Sequence, residues 1–144
     1  SEPALRRYAE ALAPAFRPGL AGTPSALVCD SLELDPTGVW SPDLSDPFEA
    51  RFGYRVEQRT ELARTLAPMR YEYRRMVGNT IQRAFFETFV RACHELGAIS
   101  RVQCHGAPTD LLAAYASVDV PESEALLFDP PFSRIAASAA ALAS

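Results

Sequence analysis

Three short apolar runs in this chain each pass directly into a cluster of acids, amides or imidazole. They are Ala26-Leu-Val-Cys-Asp30-Ser-Leu-Glu33, Ile99-Ser-Arg-Val-Gln103-Cys-His105-Gly106 and Val118-Asp-Val-Pro-Glu122-Ser-Glu124. Short apolar runs bounded by turn residues read as strands, and the stretches between these three carry helical periodicity. Strands alternating with helices imply βαβ units and a parallel sheet. In such sheets the carboxyl ends of the strands open onto one crevice, where ligands bind. Three polar strand tips therefore describe part of one wall of a single polar site.

Along the chain, Leu5, Tyr8, Leu12 and Phe16 predict a helix over residues 1–18 that stops near Pro18. The first strand is expected over 26–34, its first half apolar enough to be covered on both faces. Residues 35–54, rich in proline, glycine, aspartate and aromatics, read as a long functional loop. Two helices follow, over 56–66 and 69–96, the second ending at Gly97. Its apolar line Ile81, Phe85, Phe89, Cys93 repeats every four residues, while Arg74, Arg83, Glu87 and Arg91 mark a solvated face. The second strand is expected over 98–104, and Thr109 or Asp110 caps a short helix through Ala116. A third strand over 117–120 runs into the turn at 121–124, and an alanine-rich helix occupies 132–144.

The fold class is thus α/β, with about three parallel strands and intervening helices. A complete eight-stranded barrel takes about 250 residues. Residues 1–144 are accordingly expected to be a fragment of one (β/α)8 TIM-type barrel, whose remaining strands come from the rest of a parent chain.

Composition removes several function classes. With 48% hydrophobic residues and a net charge of −4, the chain is an ordinary globular segment. No apolar stretch approaches the roughly 20 residues needed to span a bilayer, so no membrane role is expected. All 14 basic residues are arginine, interspersed with 18 acids, which argues against nucleic-acid binding. Cys29, Cys93 and Cys104 are widely spaced and read as buried free thiols without zinc-ligand spacing. A catalytic role for Cys104 beside His105 meets the objection that adjacent strand residues face opposite ways. Walker, GxSxG and HExxH motifs are absent.

Each polar cluster has two readings. Glu33 at the first strand end is a candidate general acid, raised in pKa by partial burial, with Asp30 as its charge and hydrogen-bond neighbour. Alternatively Asp30 caps a loop and Glu33 is solvated. Gln103 and His105, two residues apart, share a strand face and offer an amide and an imidazole to a hydroxyl-rich ligand. His94, without such context, reads as a surface or packing residue. Asp119, Glu122 and Glu124 suit sugar hydroxyls or a hard cation such as calcium, or form a solvated acidic turn before the next helix. Trp40 is either a sugar-stacking platform or an anchor for its loop.

Four strings in order, Asp30-Ser-Leu-Glu33, Phe48-Glu-Ala-Arg-Phe-Gly-Tyr54, Arg101-Val-Gln-Cys-His-Gly-Ala-Pro-Thr-Asp110 and Asp119-Val-Pro-Glu-Ser-Glu124, resemble the α-L-rhamnosidases of glycoside hydrolase family 106. The similarity spans roughly Leu27 to the end of the chain. The resemblance implies a (β/α)8 catalytic barrel in a larger enzyme that removes terminal α-L-rhamnose from a glycan or glycoside with inversion. Glu33 then matches the general acid and Asp30 the accompanying acid. Gln103, His105, Asp119, Glu122, Glu124 and Trp40 are the expected sugar-binding set. The family's calcium association makes Glu122 or Glu124 a candidate metal ligand. The base is expected on a glutamate of a strand beyond Ser144, leaving the isolated piece inactive, and a periplasmic or secreted bacterial parent fits. The alternatives are a non-catalytic carbohydrate-binding or scaffold module, and a related barrel glycosidase for another sugar, such as a β-galactosidase.

Overall fold

The computed structural model describes residues 1–34, 44–55, 67–124 and 130–143. The helix expected at 56–66 and Trp40 lie outside the described residues. The architecture is mixed α/β: a three-stranded parallel sheet in the order β1-β2-β3, flanked by helices. Here β1 is Ala26–Cys29, β2 is Ile99–Val102 and β3 is Val120–Pro121. Ala26 pairs with Ile99 and Cys29 with Val102, while Arg101 pairs with Val120. β2 is therefore central among the described strands, and the polar tails of all three leave from the same end.

Helix α1, Glu2–Leu20, carries Pro3 in its first turn, where a missing N–H costs nothing. It runs two residues beyond Pro18, because the Ala21 N–H still closes on the Arg17 carbonyl at 3.2 Å. None of its residues is fully buried, so it lies on the surface of the helical layer, packed against the long helical segment that precedes β2.

The stretch expected to be an irregular loop contains a helix, α2, Ser45–Phe52. Pro47 sits in its first turn, and Gly53 ends it in the left-handed conformation with φ +78°. Phe48, 1% exposed, anchors α2 by stacking with Phe52, Tyr54 and Tyr73 at 4.7–6.4 Å between ring centres. That aromatic cluster supplies the burial that holds so short a helix in place.

The long helix before β2 is not uniform. It consists of α3, Ala67–Ile81, a π-helical segment, Gln82–Glu87, and α4, Thr88–Glu95, and it stops at Gly97 with φ +77°. In an α-helix each fourth residue advances about 40° beyond a full turn. A line of side chains at strict four-residue spacing therefore wants a wider turn. The Thr88 hydroxyl donates to the Arg83 carbonyl five residues back at 3.1 Å, the reach of the wider winding. Ile81, Phe86 and Cys93 end up buried, with Phe85, Phe89 and Val90 packed around them.

Helix α5, Leu111–Ala116, is capped by Asp110, whose Oδ1 accepts the Ala113 N–H at 3.1 Å. Helix α6, Pro130–Ala143, packs on α5 and against β3 through the small residues Ala136 and Ala139. The third strand begins three residues later than expected. Ser117 still closes α5 and Val118 is buried behind it, so pairing starts only at Val120.

One sheet face is covered and the other is open. Along β2, Ser100 and Val102 are fully buried beneath the helices, while Ile99 and Arg101 are exposed. In β1, Ala26 and Val28 are exposed as well, Val28 by 62%. The expectation that β1 is covered on both faces is thus corrected: among the described residues only Leu27 and Cys29 face the helical layer. None of the described helices is long and apolar enough to cross a membrane.

Candidate functional site

The exits of β1 and β2 touch. Beyond the end of β1 at Cys29, the Leu34 N–H donates to the Gly106 carbonyl at 3.1 Å. Gly106 has φ +84°, and a Cβ there would lie 3.1 Å from Glu33 Cγ and 3.2 Å from Glu33 Cα. Only glycine permits both the backbone conformation and the close approach. The polar tips of these two strands are in this way fixed side by side.

Within the first tip, Asp30 Oδ1 accepts the Ser31 N–H at 2.8 Å, a local turn, and the Ser31 hydroxyl donates to Glu33 Oε1 at 3.3 Å. Glu33 is exposed among the described residues. The partial burial expected of it as a general acid is therefore not supplied by those residues. Asp30 is exposed too, and its described bond goes to its own loop rather than to Glu33.

The second and third tips interlock through two pairs. Gln103 Nε2 donates to Glu122 Oε1 at 3.4 Å, and the Arg101 guanidinium bonds the other carboxylate oxygen of Glu122. Arg101 and Gln103 alternate along one strand face, which explains why they share a partner. Glu122 is held in register by its own N–H, which donates to the Val102 carbonyl at 3.0 Å.

His105, 7% exposed, pairs through Nε2 with Glu124 at 3.1 Å and through Nδ1 with the Tyr115 hydroxyl at 3.4 Å. A neutral ring with its proton on Nε2 satisfies both partners, donating to the carboxylate and accepting from the phenol. The edge of Phe132 closes a third side, 5.9 Å between ring centres. Burial pushes the Tyr115 hydroxyl above the ordinary tyrosine value, so it stays a protonated donor. His105 is consequently oriented from three sides.

Asp119 does not join this group. It lies beside Ser100, at the level where β2 enters the sheet, and its Oδ2 accepts the Ser100 N–H at 2.7 Å and the Ser100 hydroxyl at 2.8 Å. His94 Nε2 meets the same oxygen at 2.8 Å. Burial pushes the Asp119 carboxyl up, but the two Ser100 bonds and the His94 ring outweigh it and hold the group below its ordinary value. Asp119, expected to join the sugar-binding set, is placed apart from the strand-end cluster, as a clamp at the opposite end of the strand. His94 likewise has a definite partner.

The acids expected to bind calcium are engaged within the protein: Glu122 with Arg101 and Gln103, Glu124 with His105. Among the described residues no group of three or more His, Cys, Asp or Glu side chains is placed to hold a metal ion. Among the described residues, Glu122 and Glu124 alone fall short of the six to eight oxygen ligands that calcium takes.

Sequence reasoning overlooked Arg101, Tyr115 and Phe132. Arg101 carried a signal, its two-residue spacing from Gln103. Tyr115 and Phe132 reach His105 only through packing of α5 and α6, which no local pattern encodes. Comparison with known proteins finds no family model, no curated protein and no solved structure that matches this chain.

Proposed function

We propose that this chain forms part of the catalytic barrel of an inverting glycoside hydrolase acting on terminal α-L-rhamnosides, with Glu33 as general acid. The observation carrying the proposal is the meeting of Glu33 with Gly106 at the common carboxyl edge of consecutive parallel strands, beside the oriented pairs His105–Glu124 and Gln103–Glu122. The four strings resembling family 106 supply the sugar and the stereochemistry. The open sheet face, with Val28 and Ile99 uncovered, suits the interior of a barrel that is filled by side chains from further strands.

In this reading Glu33 protonates the departing glycosidic oxygen. A carboxylate on another strand removes a proton from water on the opposite face of the sugar, at the roughly 6.5–9.5 Å separation that inversion requires. Gln103 and His105, fixed by their carboxylate partners, hold sugar hydroxyls. The exposure of Glu33 favours one rival, a non-catalytic carbohydrate-binding module that keeps the polar edge without the chemistry.

The test uses the full-length protein and an unactivated α-L-rhamnoside, with the first-formed anomer read by proton NMR. Inverted product is expected, and Glu33→Gln lowers turnover by about 10²–10⁴-fold while rhamnose binding persists. Near-normal turnover in the variant removes Glu33 from the acid role. Rhamnose binding by a wild-type protein that hydrolyses no rhamnoside selects the binding module.

A further inference from the structure

A second polar site lies outside the strand-end cluster. A groove of about 570 Å³ runs between α3 and the loop Pro108–Asp110, a size ordinary for small-ligand sites. Tyr71, Arg74, Arg75 and Asn79 line one wall, Thr109 and Asp110 the other. The walls are pinned together: the Thr109 hydroxyl donates to the Gly78 carbonyl at 3.0 Å, and a Cβ on Gly78 would lie 3.1 Å from the Pro108 carbonyl oxygen. The groove is therefore set by packed backbone.

Its charge is unusual for this protein. Among the described residues neither Arg74 nor Arg75 makes an ion pair or hydrogen bond, and the same holds for Arg70, one turn before Arg74. Arg70 and Arg74, like charges four residues apart, disfavour the helix that carries them. In a chain of net charge −4 such a cluster is an electrostatic cost that a bound anion relieves. Tyr71, 65% exposed, presents a ring beside the guanidinium groups.

We propose that this groove binds a carboxylate-bearing sugar. The planar forks of Arg74 and Arg75 match a carboxylate bidentately. The face of Tyr71 stacks on the apolar face of a pyranose ring. Asp110 uses Oδ1 for the helix cap and lines the same groove, so a sugar hydroxyl donates to it, whereas a dense polyanion is repelled. One isolated negative charge set among hydroxyl donors is the pattern that a uronic acid residue supplies. The site is read by binding alone, and it stands or falls independently of rhamnoside hydrolysis.

The test compares two disaccharides that differ only at one C6: cellobiouronic acid, with a carboxylate, and cellobiose, without. Titration calorimetry on the full-length protein is expected to show the acid binding about tenfold or more tightly, with the difference shrinking as salt is raised. Arg74→Gln with Arg75→Gln removes the preference, and Arg74→Lys with Arg75→Lys restores it only in part, since an ammonium lacks the fork. Chemical-shift changes confined to Tyr71 and the arginine side chains of the wild-type protein locate the ligand without any variant. Equal binding of the two disaccharides overturns the proposal. So does inorganic phosphate competing as strongly as the uronate, or an undiminished preference for the acid in the lysine pair.

Discussion

Replacing Asp119 with alanine removes a carboxylate that does the work of a missing strand residue. β3 is only two residues long, and the Ser100 N–H, pointing to that side of β2, has Asp119 Oδ2 as its acceptor at 2.7 Å. The Ser100 hydroxyl donates to the same oxygen at 2.8 Å, and Ser100 is 0% exposed. Loss of the carboxylate strands two buried donors, each worth about 1–3 kcal/mol when left unsatisfied. The hydroxyl keeps its role as acceptor for the residue 119 N–H, and the Asp119 side chain is 30% exposed, so water recovers part of the loss. The expected cost is about 2–4 kcal/mol, a large share of a typical domain's stability. Urea unfolding followed by circular dichroism measures it, with the slope unchanged and the midpoint lowered. Because the folded carboxyl titrates below its ordinary 3.8, the unfolded chain takes up the proton first. The stabilisation is present in full above that value and fades as pH falls through the folded pKa, so the gap between wild type and variant narrows below about pH 4. A loss under about 0.5 kcal/mol, or a gap that widens in acid, refutes the clamp.

Gly106→Ala places a methyl group 3.1–3.3 Å from Glu33 and the Leu32 carbonyl on a backbone with φ +84°. It should cost about 1–3 kcal/mol in urea unfolding and shift the Leu34 amide resonance, whereas wild-type stability would show that the two strand exits do not touch. Cys104 is 0% exposed and its thiol is pushed up to about 12, chiefly by burial. Ellman's reagent at pH 8 should leave it untouched in the folded protein while the half-buried Cys29 reacts; equal rates would contradict its placement.

The strands and helices that carry strong local patterns were readable from the residues. Ala26-Leu-Val-Cys and Ile99-Ser-Arg-Val pair as expected, and of the two cap candidates, Thr109 and Asp110, it is Asp110 that caps α5. Helix α2 was hidden because eight residues with one buried side chain carry little periodicity; Pro47 and Gly53 were its only punctuation. Asp119 was grouped with Glu122 and Glu124 by nearness in sequence. In space a strand separates them, and its partner His94 lies 25 residues away on another element. The same limit applies to His105: the string Gln103-Cys-His105 announced a polar strand end, but its orientation by Tyr115 and Phe132 depends on how two later helices dock.

The change of winding at Gln82–Glu87 gives the long helix two independent bearings. Upstream, α3 presents Gly78 to the Pro108–Thr109 loop; downstream, α4 lies against α1 and β2. Rewinding all six residues of the wide turn as ordinary α-helix, with none deleted, would swing one half by about 100° relative to the other. Either the arginine groove or the seating of Cys93 beneath the sheet would then be lost, so the length of this turn acts as an indexing pin that keeps both surfaces aligned at once.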